Sequence, residues 1–232
     1  MNQLRPGLLI SDAYGSAGDV TAYHRAGKCF LRKRISPVYT GTANQLAALA
    51  VHQRALRAWR SLPHEEQLQW EPFAQDVEPH RPPFDHLARI SGNNLFISAY
   101  HGFATLGVEH VPVAKKFEPF PTFIVGLVGA SVVGETLLLR LRLETEDPDG
   151  RYRLLTKVQL TSLGRGRSPG AMRNFLAEGT ARSENQTVAI PGYKSIWGLD
   201  LASYQVHARC ILLDTETGYR SQFVPVSGVI EL

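Results

Sequence analysis

In the second half of the chain, apolar and polar side chains alternate. Leu137, Leu139, Leu141 and Leu143 are interleaved with Leu138, Arg140 and Arg142, the two-residue period of a strand with one buried face. Runs of β texture cover residues 123–133, 136–145, 151–160, 186–190, 203–213 and 220–226. Two joints, residues 146–150 (Glu-Asp-Pro-Asp-Gly) and 214–218 (Asp-Thr-Glu-Thr-Gly), have the composition of hairpin loops. Strands joined this way without helical units between them predict an antiparallel sandwich, immunoglobulin-like in scale. Residues 161–185 fit neither period and read as a long loop or a short helix crossing the sandwich.

The first half has a helical period. Thr42 is placed to cap a helix running to Ser61, with Leu46, Leu49, Leu56 and Trp59 expected to face inward. Pro63, followed by Glu65 and Glu66, opens a second helix through Leu68, Trp70, Phe73 and Ala74. Residues 78–83 form a proline-containing linker. A third helix from Asn93 to Leu106 presents Leu95, Phe96, Ala99, Tyr100 and Phe103 at spacings of three and four. Ahead of the helices, residues 8–14 and 20–23 flank a Gly/Ser/Asp turn at 15–19, and residues 28–35 supply a third strand that Pro37 brings to an end. The expected fold class is α+β. A small N-terminal β element with three helices (1–112) precedes an antiparallel immunoglobulin-like β-sandwich (113–232).

Hydrophobic residues make up 44% of the 232 residues and charged ones 20%, which is enough apolar material for a packed core and excludes a disordered chain. Cys29 and Cys210 stand in no metal-ligand spacing and read as buried thiols in a reducing, cytoplasmic compartment. The longest apolar stretch, residues 122–133, is broken by Gly126 and Gly129 and falls short of the roughly 20 residues a membrane helix needs, so no membrane partner is expected. No apolar run of leader length precedes Asp12, and export is not expected either.

Charge is unevenly spread. Residues 1–60 hold nine Lys and Arg against two Asp, a net +7, and the remainder carries −3. This asymmetry points to an anionic partner for the N-terminal part or to packing against an acidic neighbour.

Few motifs carry chemistry. Gly15 to Gly18 lacks the Lys and the helix of a phosphate-binding loop, and Gly164 to Arg167 reads as a solvated loop. The eight histidines form no HxxxH or HExxH pair, and no Ser stands in a GxSxG elbow. Glu144, Glu146, Asp147 and Asp149 read as a solvated acidic hairpin. These absences predict a protein that is not an enzyme, without metal or cofactor. The most informative charge feature is the run Arg25, Lys28, Arg32, Lys33 and Arg34, interleaved with Tyr23 and Phe30. With Arg54 and Arg57 on the first helix, these cations are candidate phosphate contacts for DNA or RNA, provided that they share one face. The alternative is a solvated strand or contacts to an acidic subunit.

Residues 15–20, Tyr23 to Lys28, Leu31 to Arg34, Pro37, Thr42 to Gln45, Trp59 to Leu62 and Trp70 are similar to an uncharacterised protein family of Bacteroidetes genomes and phage or prophage. That family has a glycine-rich hairpin, a basic strand and a W-x-x-L helix pair, often followed by an immunoglobulin-like region. The resemblance covers about the first 110 residues and implies no activity. Trp59, Leu62, Glu65, Glu66, Trp70 and Ala74 also resemble the last two helices of an HMG-box, which would imply DNA binding. Gln67 replaces the usual Lys, however, and the same residues make a good helical hairpin. The expected function is that of a non-enzymatic structural, assembly or protein-binding protein of phage or mobile-element type. The alternative is nucleic-acid binding through the basic N-terminal segment.

Overall fold

The structure, a computed structural model, describes residues 2–3, 15–17, 19–25, 28–33, 41–77, 90–146, 150–182 and 184–231. The backbone divides into two compact units, residues 1–46 and 47–232. In the first, β1 (Asn2–Gln3), β2 (Gly15–Ala17), β3 (Val20–Arg25) and β4 (Lys28–Lys33) form an antiparallel sheet in the order β1-β4-β3-β2. Gly15 to Ala17, read from sequence as the turn, is instead a strand in register with Ala22, Thr21 and Val20. Ala17 and Val20 are partners, so this pairing begins at the spacing of a tight hairpin. Residues 8–14, expected as its other arm, lie outside the described residues.

The helix α1 (Ala43–Ser61) opens on a reciprocal capping box, in which the Thr42 amide donates to Gln45 Oε1 at 3.1 Å and the Gln45 amide to Thr42 Oγ1 at 3.4 Å. Leu46 and Leu49, expected inward, are exposed; Ala55 is buried in their place. Among the described residues, Ala58 and Trp59 in the C-terminal half of the helix and Leu62 just beyond it join an apolar cluster. The expected second helix is two, α2 (His64–Leu68) and α3 (Trp70–Asp76). Pro72 has no N–H to give the Leu68 carbonyl, which separates them. Gln67 Nε2 donates to the Trp59 and Leu62 carbonyls at 2.9 and 3.2 Å, satisfying the end of α1. On α4 (Gly92–Thr105), the Phe96 ring lies 5.3 Å from both Trp59 and Trp70 and forms the centre of the helical core.

Among the described residues, the sandwich has seven strands. One sheet holds β5 (Phe123–Val133), β6 (Thr136–Thr145) and β9 (Asn185–Pro191) in the order β5-β6-β9. The other joins β7 (Tyr152–Thr161), β8 (Arg173–Leu176), β10 (Ser203–Asp214) and β11 (Val224–Glu231) in the order β11-β10-β7-β8. The α+β class and the immunoglobulin-like sandwich are as expected, and the leucine comb of β6 is fully buried. The segment 161–185 supplies the unanticipated β8, and a short helix, α5 (Tyr193–Trp197), bridges β9 and β10. Tyr204, near the start of β10, donates its hydroxyl to the Leu199 carbonyl and accepts from the Leu201 amide, a tyrosine corner.

The last strand is displaced relative to the expected 220–226. After one bridge between Leu213 and Arg220 and a hydrogen bond from the Ser221 amide to the Leu212 carbonyl at 2.9 Å, residues 222–223 leave the ladder, and β11 begins at Val224. The preceding loop docks the helices onto the sandwich. A Cβ on Gly102 of α4 would stand 2.0 Å from the Gly218 carbonyl oxygen, and Gly218 holds φ +72° against the Ala99 carbonyl. Tyr219 is buried in the helical cluster and donates its hydroxyl to the Lys115 carbonyl at 2.9 Å. Phe120 packs against both this cluster and the sandwich core. The change from helical to β texture at 112/113 therefore falls inside the second unit.

Asp214 holds this loop in shape. Its Oδ1 and Oδ2 accept from Arg151 Nε at 3.0 Å and Nη2 at 2.6 Å, and also from the Glu216 amide and Thr217 Oγ1, each at 2.8 Å. Burial alone would raise the Asp214 pKa, but the hydrogen bonds from Arg151, Glu216 and Thr217 outweigh it and hold the carboxyl below its usual value.

Candidate functional site

The β3–β4 register tests whether the basic run shares a face. Thr21 pairs with Arg32, Tyr23 with Phe30 and Arg25 with Lys28, while Val20 pairs with Lys33 and Ala22 with Leu31. Directly opposed residues project to the same side, and the side alternates along a strand. Tyr23, Phe30 and Arg32 therefore share one face, on which the rings stack at 5.8 Å and the Arg32 guanidinium lies 5.6 Å from the Tyr23 centroid. Arg25 and Lys28 hold register positions of the same set. Lys33 belongs to the opposite face, together with the buried Cys29. Arg34 lies outside the described residues. Arg54 and Arg57 belong to the second unit, where Arg54 approaches Glu109 at 4.0 Å and Arg57 Nε donates to the Gln53 carbonyl at 3.4 Å.

A second feature is strand β5, at the edge of its sheet and without a charged residue over its 11 positions. Ile124 (63% exposed), Val128 (53%) and Val133 (63%) stand uncovered. A Cβ on Gly126 or Gly129 would meet nothing within 4 Å, so no side chain stands over the strand at these two positions. The register slips between Leu127 and Gly129, which leaves Val128 as a bulge. The sequence marks this segment as the longest apolar run but assigns it only to sheet, because periodicity does not distinguish a covered strand from an uncovered one.

The third feature had no sequence signal. A cleft of about 540 Å³ opens between the end of α3, residues 117–123 and residues 220–224, lined by Phe117, Phe120, Phe223 and Arg220, with Asp76 and Val77 also contributing. Arg220 Nη2 donates to Thr105 Oγ1 at 3.2 Å, Nε is buried without a partner, and burial lowers the guanidinium pKa. Among the described residues, no carboxylate forms an ion pair with Arg220. His101, whose carbonyl accepts from Thr105 Oγ1, lies 3.5 Å from His52; burial, Arg220 and His52 all lower its pKa. These residues are brought together from positions up to 168 apart in the chain, so no motif spacing announces them.

No helix among the described residues is long and apolar enough to cross a membrane. No family model matches the chain, and no curated protein matches it. Solved structures of OgpA from Akkermansia muciniphila show a limited likeness. A catalytically inactive form in complex with an O-glycopeptide (glycodrosocin) substrate is 16% identical with a TM-score of 0.35, over 61% of this chain and 39% of that one. A wild-type form is 16% identical with a TM-score of 0.32, over 50% of this chain and 30% of that one. This finding corrects the expectation that the chain is not an enzyme. That expectation rested on missing short motifs, and a folded chain can assemble polar groups from distant positions, as the Arg220 cleft illustrates. At this degree of likeness no activity of OgpA is carried to this chain.

Proposed function

We propose that the chain is a protein-binding component that assembles with copies of itself through strand β5. The observation that carries this reading is an edge strand of 11 residues without charge, with Ile124 and Val128 exposed beside Gly126 and Gly129, over which no side chain stands. Edge strands are ordinarily guarded by charge, and glycine in a strand permits close approach of another backbone. Light scattering on the purified chain, alone and with Ile124→Lys or Val128→Lys, tests the reading. A discrete oligomer that each substitution converts to single chains supports it; a single-chain wild type, or an oligomer indifferent to both substitutions, overturns it. A cytoplasmic setting fits the buried thiol of Cys210, which burial pushes up to about 12 and so keeps in the unreactive protonated form.

A second reading, nucleic-acid binding through the N-terminal sheet, is favoured by the Tyr23–Phe30 stack with Arg32 on the same face. Such a surface offers stacking to bases and charge to phosphates. Fluorescence anisotropy with duplex and single-stranded DNA at two salt concentrations decides it. Binding that falls with salt and is lost in Arg32→Glu supports the reading, and salt-independent or absent binding removes it.

A further inference from the structure

We propose that the cleft floored by Phe117, Phe120 and Phe223 is a binding site for an apolar monocarboxylate, with Arg220 as the group that recognises the carboxylate. The first ground is uncompensated charge. An arginine removed from water in a folded core is normally paired with a carboxylate, because isolated buried charge is costly. Among the described residues, Arg220 has one neutral side-chain partner, Thr105 Oγ1, and no ion pair with a carboxylate. An anion arriving in the cleft supplies the missing counter-charge.

The second ground is shape and lining. A cleft of about 540 Å³ lies within the range of small-molecule sites, roughly 300–1,000 Å³. Its aromatic and proline walls accept a hydrocarbon or aromatic body, and Arg220 provides the polar contact that sets orientation. The surroundings also set the charge of the ligand. Arg220 is the only cation among the described lining residues, and Asp76 stands on the same cleft, an arrangement that disfavours a dianion such as phosphate. The Phe223 ring is held 4.5 Å from the Arg209 guanidinium, which fixes one wall before a ligand arrives. Phe123, the first residue of β5, also lines this cleft, but oligomeric state and carboxylate binding are separate readouts, so either proposal stands or falls without the other.

Isothermal titration of the full chain with phenylpropanoate and naphthoate, each against its neutral primary amide, tests the proposal. The acid is expected to bind at least about tenfold more tightly than the amide, and Arg220→Gln is expected to abolish that preference. Phe223→Ala is expected to weaken acid and amide alike and leave their ratio intact. Equal affinities of acid and amide for the unaltered chain would overturn the proposal even if Arg220→Gln failed to fold. No binding of either acid, or a folded Arg220→Gln protein that retains the acid preference, would overturn it as well.

Discussion

Asp214 illustrates how much a single buried carboxylate organises here. Four donors converge on it, and the Arg151 guanidinium that faces it is mostly buried. Asp214→Asn keeps the shape but leaves Arg151 without its main counter-charge. We expect a loss of about 3 kcal/mol in denaturant unfolding at neutral pH. Because the folded pKa of Asp214 is depressed, its contribution is present above the ordinary aspartate value of about 3.9 and is lost as pH falls through the lower folded value. His101 acts at milder acidity. Burial, Arg220 and His52 disfavour its charged form, so the unfolded chain takes up its proton first. Stability from this residue is complete above 6.5, its ordinary value, and is lost as pH falls from there through the lower folded value. Unfolding measured across that window is expected to be flatter with pH in His101→Gln than in the unaltered chain.

Elements meet through close backbone contact rather than through side-chain interdigitation alone. Alanine in a helix interior is ordinarily favoured over glycine by roughly 0.5–1 kcal/mol. At Gly102 the sign reverses, because the new Cβ would lie 2.0 Å from a backbone oxygen of the loop that docks on α4. Gly102→Ala is expected to cost about 3 kcal/mol, read as a lowered denaturant midpoint, with the helices rather than the sandwich losing protection in amide exchange. The loop composition at 214–218 was legible in the sequence; its docking was not. The local signal announces a turn, whereas the partner of Gly218 lies more than a hundred residues earlier. The same limit explains Leu46 and Leu49. Their helix was legible from Thr42 onward, but its buried side depended on which stretch of α1 finds a neighbour.

At the scale of the whole molecule, the described members of the two apolar clusters all lie within residues 58–230. The sequence by itself determined strands β5, β6, β7, β9 and β10, the positions of most helices and the concentration of positive charge near the N-terminus. These rest on local properties, namely side-chain period, capping chemistry and composition. It also foresaw that the basic run matters only if its members share a face. The tertiary structure decided that question by register, placing Arg32 with Tyr23 and Phe30 and setting Lys33 opposite. It likewise decided that the outer face of β5 stays uncovered and that Arg220 lines an aromatic cleft without an ion pair to a described carboxylate. Burial, register and charge pairing depend on residues far apart in the chain, and no local pattern encodes which distant partner arrives.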